Sequence, residues 1–160
     1  MSSVTNRILG WHDLFVRIVS SLQSAFLLVI RVYWGWQFAQ TGWGKLHNIP
    51  HVIEFFTSLG LPAPGPTAVF VSVFELVGGI LLALGLFSRI TAMGIVIDMT
   101  MAYITADREA LATLLSADPS KFVAADPFIF LAVGLVVLIF GPGKYALDTL
   151  LAKKFRKAGS

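Results

Sequence analysis

Four apolar runs, each interrupted by few polar residues, dominate the chain: 22–40, 67–87, 90–105 and 127–140. An α-helix rises about 1.5 Å per residue, so about 20 residues cross the roughly 30 Å hydrocarbon core of a bilayer. The first two runs reach that length, and the shorter two need flanking residues or a locally thinned bilayer. A soluble bundle would give each helix a polar face, which these runs lack. The pattern predicts an all-α, four-helix integral membrane bundle formed by a single domain, 1–160.

Two amphipathic segments flank these runs, at about 4–18 and 144–157. Both combine apolar residues at helical spacing with basic residues, which is typical of short helices that lie on an anionic membrane surface. A plain basic tail is an equal alternative for the second. Between the first two runs, Pro50 can begin and Gly60 can end a short helix, and another short helix is expected near 107–115.

The distribution of Lys and Arg predicts the orientation of the spans. Eight of these residues lie before the first run, between the second and third runs, and after the fourth, whereas the opposite loops hold three. Because cytoplasmic loops of membrane proteins are enriched in Lys and Arg, both termini are expected in the cytoplasm, and the chain is expected to cross the membrane several times.

Composition narrows the possible functions. The chain is 56% hydrophobic and 13% charged, has a formal charge of +3, and contains no cysteine. A charge this small without a basic patch argues against nucleic-acid binding. Since thiolate chemistry and Cys-ligated metals are excluded, a redox role requires a bound cofactor or a partner's redox centre.

Three ionisable residues lie within the runs: Arg31, Glu75 and Asp98. Each is costly at the centre of a membrane, so each is expected to face protein or water. Measured from the outer ends of their runs, they lie nine, eight and seven residues deep, which predicts one common level near mid-membrane. Lys45 follows on the same stripe as Arg31 and joins this candidate ligand-binding or proton-carrying set.

Small residues mark the faces on which these charges lie. Such residues let membrane helices approach closely, so they are expected to pack the helices together. They are Gly35 in the first run and Gly42 just beyond its end, Gly78 and Gly79 in the second run, and Gly94 in the third.

The three intramembrane charges allow two interpretations. One Arg with two carboxylates leaves a formal negative charge in low dielectric, so one carboxylate, Asp98 in preference, is predicted to carry a proton. The alternative is a purely structural ion pair that fixes the register of the helices. His47 and His51 have a spacing that suits a metal only on a continuous helix, and Pro50 between them favours a solvated loop, so no metal site is predicted.

The residues that carry a family resemblance are Arg31 and Asp98 together with an ordered set of segments: 40–46, 55–62, 75–79 and 84–89. With these the chain resembles the DoxX family of small bacterial membrane proteins, which includes or resembles the small subunit of thiosulfate:quinone oxidoreductase. The resemblance implies a multi-pass four-helix bundle in the bacterial cytoplasmic (inner) membrane and association with membrane redox complexes. The family's motif residues fall here on Arg31, Gly42, Lys45, Glu75, Gly78, Gly79 and Arg89.

Three functions are open at this point. The first is a quinone-interacting subunit of a redox complex that is not an enzyme on its own, with Arg31, Glu75 and Asp98 on the head group and Tyr33, Trp34 and Phe38 flanking the ring. The second is a non-enzymatic anchor or assembly subunit, and the third is a carrier of a small lipophilic solute. Quinone is the one cofactor candidate. The expected partners are the lipid bilayer and either other membrane subunits or further copies of the chain.

Overall fold

A computed structural model describes residues 3–116 and 118–158, and describes side chains over 11–116 and 118–156. Within these ranges the chain is helical and has no strand, as predicted. In chain order the helices are α1 Ser3–His47, α2 Ile49–Ser58, α3 Pro64–Leu84, α4 Ser88–Thr105, α5 Arg108–Ala112, α6 Ser120–Ala124, α7 Pro127–Phe140 and α8 Leu147–Ala158.

Helix α1 is much longer than its apolar run. It continues without a break for 45 residues, about 68 Å at 1.5 Å per residue. The structure therefore joins segment 4–18 to the first run instead of forming a separate short helix, because no proline or glycine interrupts the chain between Gly10 and Gly35. The predicted surface contacts of Val4 and Ile8 lie outside the described side chains.

Proline and glycine set the ends of the other helices. Pro64 begins α3, and Gly85 ends it in the left-handed conformation, with φ of 72° and its N–H bonded to the Leu81 carbonyl. Pro50 lies in the first turn of α2, and Gly60, with φ of 70°, follows its end. The predicted short helix between the first two runs is thereby confirmed, and α7 has the predicted bounds.

The helices pack as two closely associated pairs. Helix α3 lies along α1 and α7 lies along α4, while α3 contacts α4, α1 contacts α7, and α2 packs on α3. The buried core that these helices share is made of Phe38, Leu82, Ala92, Ile95, Met99, Val133 and Val137. Most of the large side chains that face outward are also apolar, as on Val29, Phe70 and Ile139. An apolar exterior around an apolar core is typical of helices surrounded by lipid.

Two described helices are long and apolar enough to cross a membrane, the Trp11–His47 part of α1 and α3, and α7 is apolar but short. Helix α8 presents Leu150, Leu151 and Phe155 on its exposed surface beside its basic residues. It is therefore an amphipathic helix, and the side chain of Lys157 lies outside the described residues. That α8 rests on a membrane surface stays a prediction.

Candidate functional site

The backbones of α1 and α3 are in direct contact at glycine residues. A Cβ added at Gly35 would lie 2.7 Å from the Gly79 carbonyl oxygen, and one at Gly79 would lie 2.5 Å from the Gly35 carbonyl oxygen. At Gly42 an added Cβ would meet the backbone of Ser72 at 2.6 Å. Because the two helices approach this closely, side chains that flank these glycines on one helix reach directly to the other.

Lys45 and Glu75 form an ion pair across this contact. The Lys45 Nζ lies 2.5 Å from Glu75 Oε1; the Glu75 side chain is 3% exposed and that of Lys45 is 35% exposed. Helical side chains lean toward the amino terminus of their helix, so Lys45 extends back along α1 toward Glu75, which lies beside Gly42. The second carboxylate oxygen of Glu75, Oε2, is buried and has no hydrogen-bond partner among the described residues.

Asp98 joins this pair from α4. It is half-buried and lies within electrostatic range of both Glu75 and Lys45, and its Oδ2 atom is buried without a hydrogen-bond partner in the described part of the chain. Lys45, Glu75 and Asp98 are called the carboxylate cluster below. The cluster sets one ammonium group against two carboxyl groups among apolar helices, and leaves two carboxyl oxygens free to bond a further group.

Arg31 does not belong to the carboxylate cluster, so the prediction of one common level is wrong for it. Its guanidinium lies against Gly85, ten residues along α3 from Glu75 or about 15 Å along the helix axis. The estimate failed because it placed the outer end of the first span at Gln40, whereas α1 continues to His47. Arg31 is therefore sixteen residues from the end of its helix and not nine.

Arg31 forms part of a second buried site, at the opposite end of the helices. It is fully buried, and it donates from Nε to the Leu27 carbonyl at 3.3 Å and from Nη2 to the Tyr145 carbonyl at 3.4 Å. Together with the N–H of Asp148, which bonds the Gly85 carbonyl at 3.0 Å, these bonds hold the segment before α8 against α1 and α3. Arg31 therefore has a structural role, because it links α1 to the segment that precedes α8.

Asp148 connects α8 to the start of α4. Its two carboxylate oxygens accept hydrogen bonds from the backbone N–H groups of Phe87 and Ser88, each at 2.8 Å. Phe87 is in the left-handed region with φ of 49°, a strained conformation for a residue with a side chain, which these bonds help to hold. Partial burial opposes ionisation of Asp148, but the bonds from Ser88 and Phe87 and the charge of Arg31 outweigh it and keep the pKa of Asp148 below its ordinary value.

Replacing Asp148 with asparagine is expected to destabilise the protein by about 1–2 kcal/mol at pH 7, because one carboxylate bonds two N–H groups at a partly exposed site. Since the folded-state pKa is lowered, this stabilisation is present above the unfolded pKa of about 4 and is lost as the pH falls through the lower folded value. In thermal denaturation in detergent, the melting temperatures of the wild type and of Asp148→Asn should converge as the pH falls toward 3. Asp126→Asn, at an exposed position, is the control, and a gap that persists unchanged at pH 3 would contradict the assignment.

The three predicted ring-flanking aromatic residues do not share one environment. Tyr33 is 56% exposed on the outer surface of α1, away from the carboxylate cluster. Trp34 is half-buried and packs edge-to-face on Phe130 with ring centroids 5.9 Å apart. Phe38 is buried, with its ring centroid 5.1 Å from that of Phe130 and 6.4 Å from that of Phe74. Only Phe38 and Trp34 therefore face the interior.

Sequence reasoning missed Phe74 and Phe130. The Phe74 ring covers Gly94, where an added Cβ would lie 2.6 Å from its Cζ, one turn of α4 away from Asp98. Its position next to Glu75 and four residues before Gly78 was an available signal. Phe130 lies in an apolar run without polar residues, which gave no signal.

The described residues include no group of three or more His, Cys, Asp or Glu side chains that could hold a metal ion. His47 lies on the last turn of α1, with Nδ1 2.9 Å from the Trp43 carbonyl oxygen, and His51 lies in α2 beyond the break between the two helices.

The described part of the chain is helical, its exterior is apolar, and it contains a buried charged cluster. These features are those of a helical membrane protein. Residues 26–108 match the DoxX family model, and this range includes the glycine-lined part of α1, all of α3 and the whole carboxylate cluster. The chain belongs to the DoxX family.

Three relatives agree with this assignment. The chain is 30% identical to the uncharacterized membrane protein Rv3486 of Mycobacterium tuberculosis, over 66% of this chain and 68% of the relative. It is 32% identical to CatD of Bacillus subtilis, provisionally named an oxidoreductase, over 64% and 86%. It is 26% identical to the inner membrane protein YqjF of Escherichia coli, over 86% and 100%. No solved structure matches the chain significantly.

Proposed function

We propose that this protein is a single-domain, multi-pass subunit of the bacterial cytoplasmic membrane whose carboxylate cluster serves a quinone-linked redox complex. In this proposal α1, α3, α4 and α7 cross the membrane as a four-helix bundle. Arg89 and the basic α8 then lie at the cytoplasmic end together with both termini, in accord with the excess of Lys and Arg there. Since α7 has 14 residues, about 21 Å, the bilayer is thinned beside it.

The observation that carries the proposal is the carboxylate cluster. Lys45 bonds Glu75, and Asp98 lies within electrostatic range of both, so the cluster is electrically neutral only when one of the two carboxyl groups keeps a proton. Glu75 Oε2 and Asp98 Oδ2 are the buried carboxyl oxygens without a partner in the described part of the chain, so one of them holds that proton and can donate it in a hydrogen bond. The cluster can therefore offer one donor and one acceptor to a bound molecule.

The residues present fit a quinone head group. When bound, a quinone supplies an acceptor for two electrons and two protons, together with carbonyl oxygens that accept hydrogen bonds. The protonated carboxyl group of Glu75 or Asp98 would donate to a quinone carbonyl oxygen, and the ionised one would accept from a hydroxyl group of the reduced quinol. Lys45 would balance their charge, and Phe74, whose ring lies one turn of α4 from Asp98, would bound the apolar side. Arg31 and Tyr33 are left out of this set because they lie elsewhere. The provisional oxidoreductase name of the B. subtilis relative points in the same direction.

We expect quinone to co-purify with the protein in mild detergent and to appear in an organic extract. Glu75→Gln and Asp98→Asn should each lower the quinone content about tenfold, because each removes a carboxyl group that donates to a quinone carbonyl oxygen or accepts from a quinol hydroxyl group, a bond worth about 1–2 kcal/mol. Glu54→Gln is the matched control, since Glu54 is exposed on α2, and should retain the wild-type content.

The same preparation tests the second candidate function, an anchor or assembly subunit. That function is favoured by the close glycine contact and the direct Lys45–Glu75 ion pair, which by themselves would fix the register of α1 and α3. Partner polypeptides that co-purify without quinone would establish the anchor function. Equal quinone contents in the wild type and both variants would exclude the carboxylate cluster as the quinone site.

A further inference from the structure

A groove of about 580 Å³ lies between the first turn of α4 and one face of α8, outside the carboxylate cluster. Its lining includes three basic residues, Arg89 from α4 and Lys153 and Arg156 from α8. Phe87 and Ile90 line it as well and are 60% and 67% exposed. The basic groove, as it is called below, therefore combines a cationic wall with an apolar edge that continues onto the outer surface of the helices.

The positive charge of the basic groove follows from helical spacing. Thr149, Ala152, Lys153 and Arg156 all line it and recur at intervals of three and four residues, so one face of α8 is turned toward α4. Asp148 is the one acidic residue among the lining residues, and both of its oxygens already accept bonds from the backbone at the start of α4. Three cations against one engaged carboxylate leave the basic groove with an excess positive charge.

Besides its charges, the basic groove contains a buried hydroxyl group that can form a hydrogen bond. Ser88 lines the groove and is fully buried, and its Oγ has no hydrogen-bond partner among the described residues. A buried polar atom without a partner is costly, and the acceptors within reach of this hydroxyl are the Asp148 carboxylate and a group bound in the groove. The hydroxyl lies at the amino terminus of the 18-residue helix α4.

We propose that the basic groove binds the phosphate group of an anionic membrane lipid. Arginine guanidinium groups bond phosphate oxygens in pairs, lysine adds a compact charge, and the Ser88 hydroxyl donates one further bond. A lipid is favoured over free phosphate because Phe87 and Ile90 extend the groove as exposed apolar surface on which acyl chains can lie. Basic pockets at the cytoplasmic ends of membrane helices recognise anionic head groups in this way.

The test uses the full-length protein in dodecyl maltoside, titrated separately with phosphatidylglycerol, phosphatidylcholine and inorganic phosphate, with the melting temperature read from tryptophan fluorescence. Phosphatidylglycerol is expected to raise the melting temperature of the wild type, and phosphatidylcholine is not. The triple variant Arg89→Gln, Lys153→Gln, Arg156→Gln should need at least tenfold more phosphatidylglycerol for half the effect. The control Lys121→Gln, Lys144→Gln, Lys154→Gln removes the same charge outside the groove and should behave as the wild type.

Ser88→Ala tests whether the groove is a specific phosphate site or only attracts anionic lipid through its charge. It keeps every cation and removes only an unpaired hydroxyl, so the lipid-free protein should remain as stable as the wild type while the half-saturating lipid concentration rises severalfold. An unchanged concentration would overturn the proposal in favour of diffuse attraction. So would equal losses in the two triple variants, or no stabilisation of the wild type. Stabilisation by inorganic phosphate that is lost only in the groove variant would support the phosphate site and identify a free anion as its source.

Discussion

Replacing Gly79 with alanine is expected to destabilise the protein by about 1–3 kcal/mol, whereas the same change at the neighbouring Gly78 leaves the stability unchanged or slightly higher. At Gly79 the new methyl group would lie 2.5 Å from the Gly35 carbonyl oxygen and 2.8 Å from the Cα of Ala39. Both atoms are backbone, so α1 and α3 must move apart and lose the contacts along their shared face. Because the carboxylate cluster spans that face, the Lys45–Glu75 distance should lengthen as well.

Gly78 is a matched control because it lies next to Gly79 in the same helix. A Cβ there would meet only the Phe74 ring at 3.6 Å and the Thr91 methyl group at 3.8 Å, which are ordinary contact distances. Alanine is also the better helix former by about 1 kcal/mol, so the sign of its effect should reverse between the two sites. Reversible unfolding in mixed micelles measures both variants, and equal destabilisation of the two would refute the backbone contact.

Replacing Lys45 with methionine is expected to destabilise the protein by about 1–3 kcal/mol, because the variant leaves two carboxyl groups without their cation. Removing one partner of a fully buried ion pair costs about 3–5 kcal/mol, mainly through the charge left behind. The smaller figure applies here because about a third of the Lys45 side chain is exposed to solvent, which screens the pair. Methionine keeps the length of the side chain, so the loss reports charge rather than packing.

A second substitution tests this explanation. Adding Glu75→Gln to Lys45→Met removes the uncompensated charge, so the double variant should be more stable than Lys45→Met alone. Lys121→Met, on the exposed face of α6, is the control and should have little effect on stability. Additive losses in the double variant would mean that Lys45 and Glu75 do not interact, and would remove the basis of the carboxylate cluster.

The predicted stability effects and the proposed quinone site depend on the same residues but are measured separately. Lys45→Met and Glu75→Gln test whether the cluster exists, and quinone content tests whether it binds that ligand. A substitution of Arg31 further separates an effect on stability from an effect on the cluster. Since Arg31 lies about 15 Å from Glu75 along α3, its substitution should lower stability without acting directly on the cluster.

The sequence alone predicted the helices well, because apolar runs and their end signals are local. The fourth run and α7 have the same bounds, and Pro50, Pro64 and Gly60 fall at or beside the helix ends where their backbone preferences place them. The second run, 67–87, is offset by three residues from α3, and the first run differs most from its helix. A charged or polar residue does not end a helix, so the pattern of hydrophobic positions understated α1 at both ends.

The candidate site was predicted in part. Glu75 and Asp98 were selected as charges that a membrane helix carries only at a cost, and Lys45 was added from the stripe that it shares with Arg31. The structure pairs Lys45 with Glu75 and places Asp98 within electrostatic range of both. Arg31 was selected for the same reason and lies elsewhere. Its level was counted from the end of an apolar run, and that end differs from the end of the helix by seven residues, almost two turns.

What the sequence by itself determined is therefore the set of helices, the identity of the buried charges and the small residues that permit close packing, since each follows from the cost of placing one residue type in an apolar helix. What only the tertiary structure decided is which charges meet. Lys45 and Glu75 are 30 positions apart, and Arg31 and Tyr145 are 114 apart. Such pairings depend on the offset between packed helices and on the reach of each side chain, and no local pattern contains either quantity.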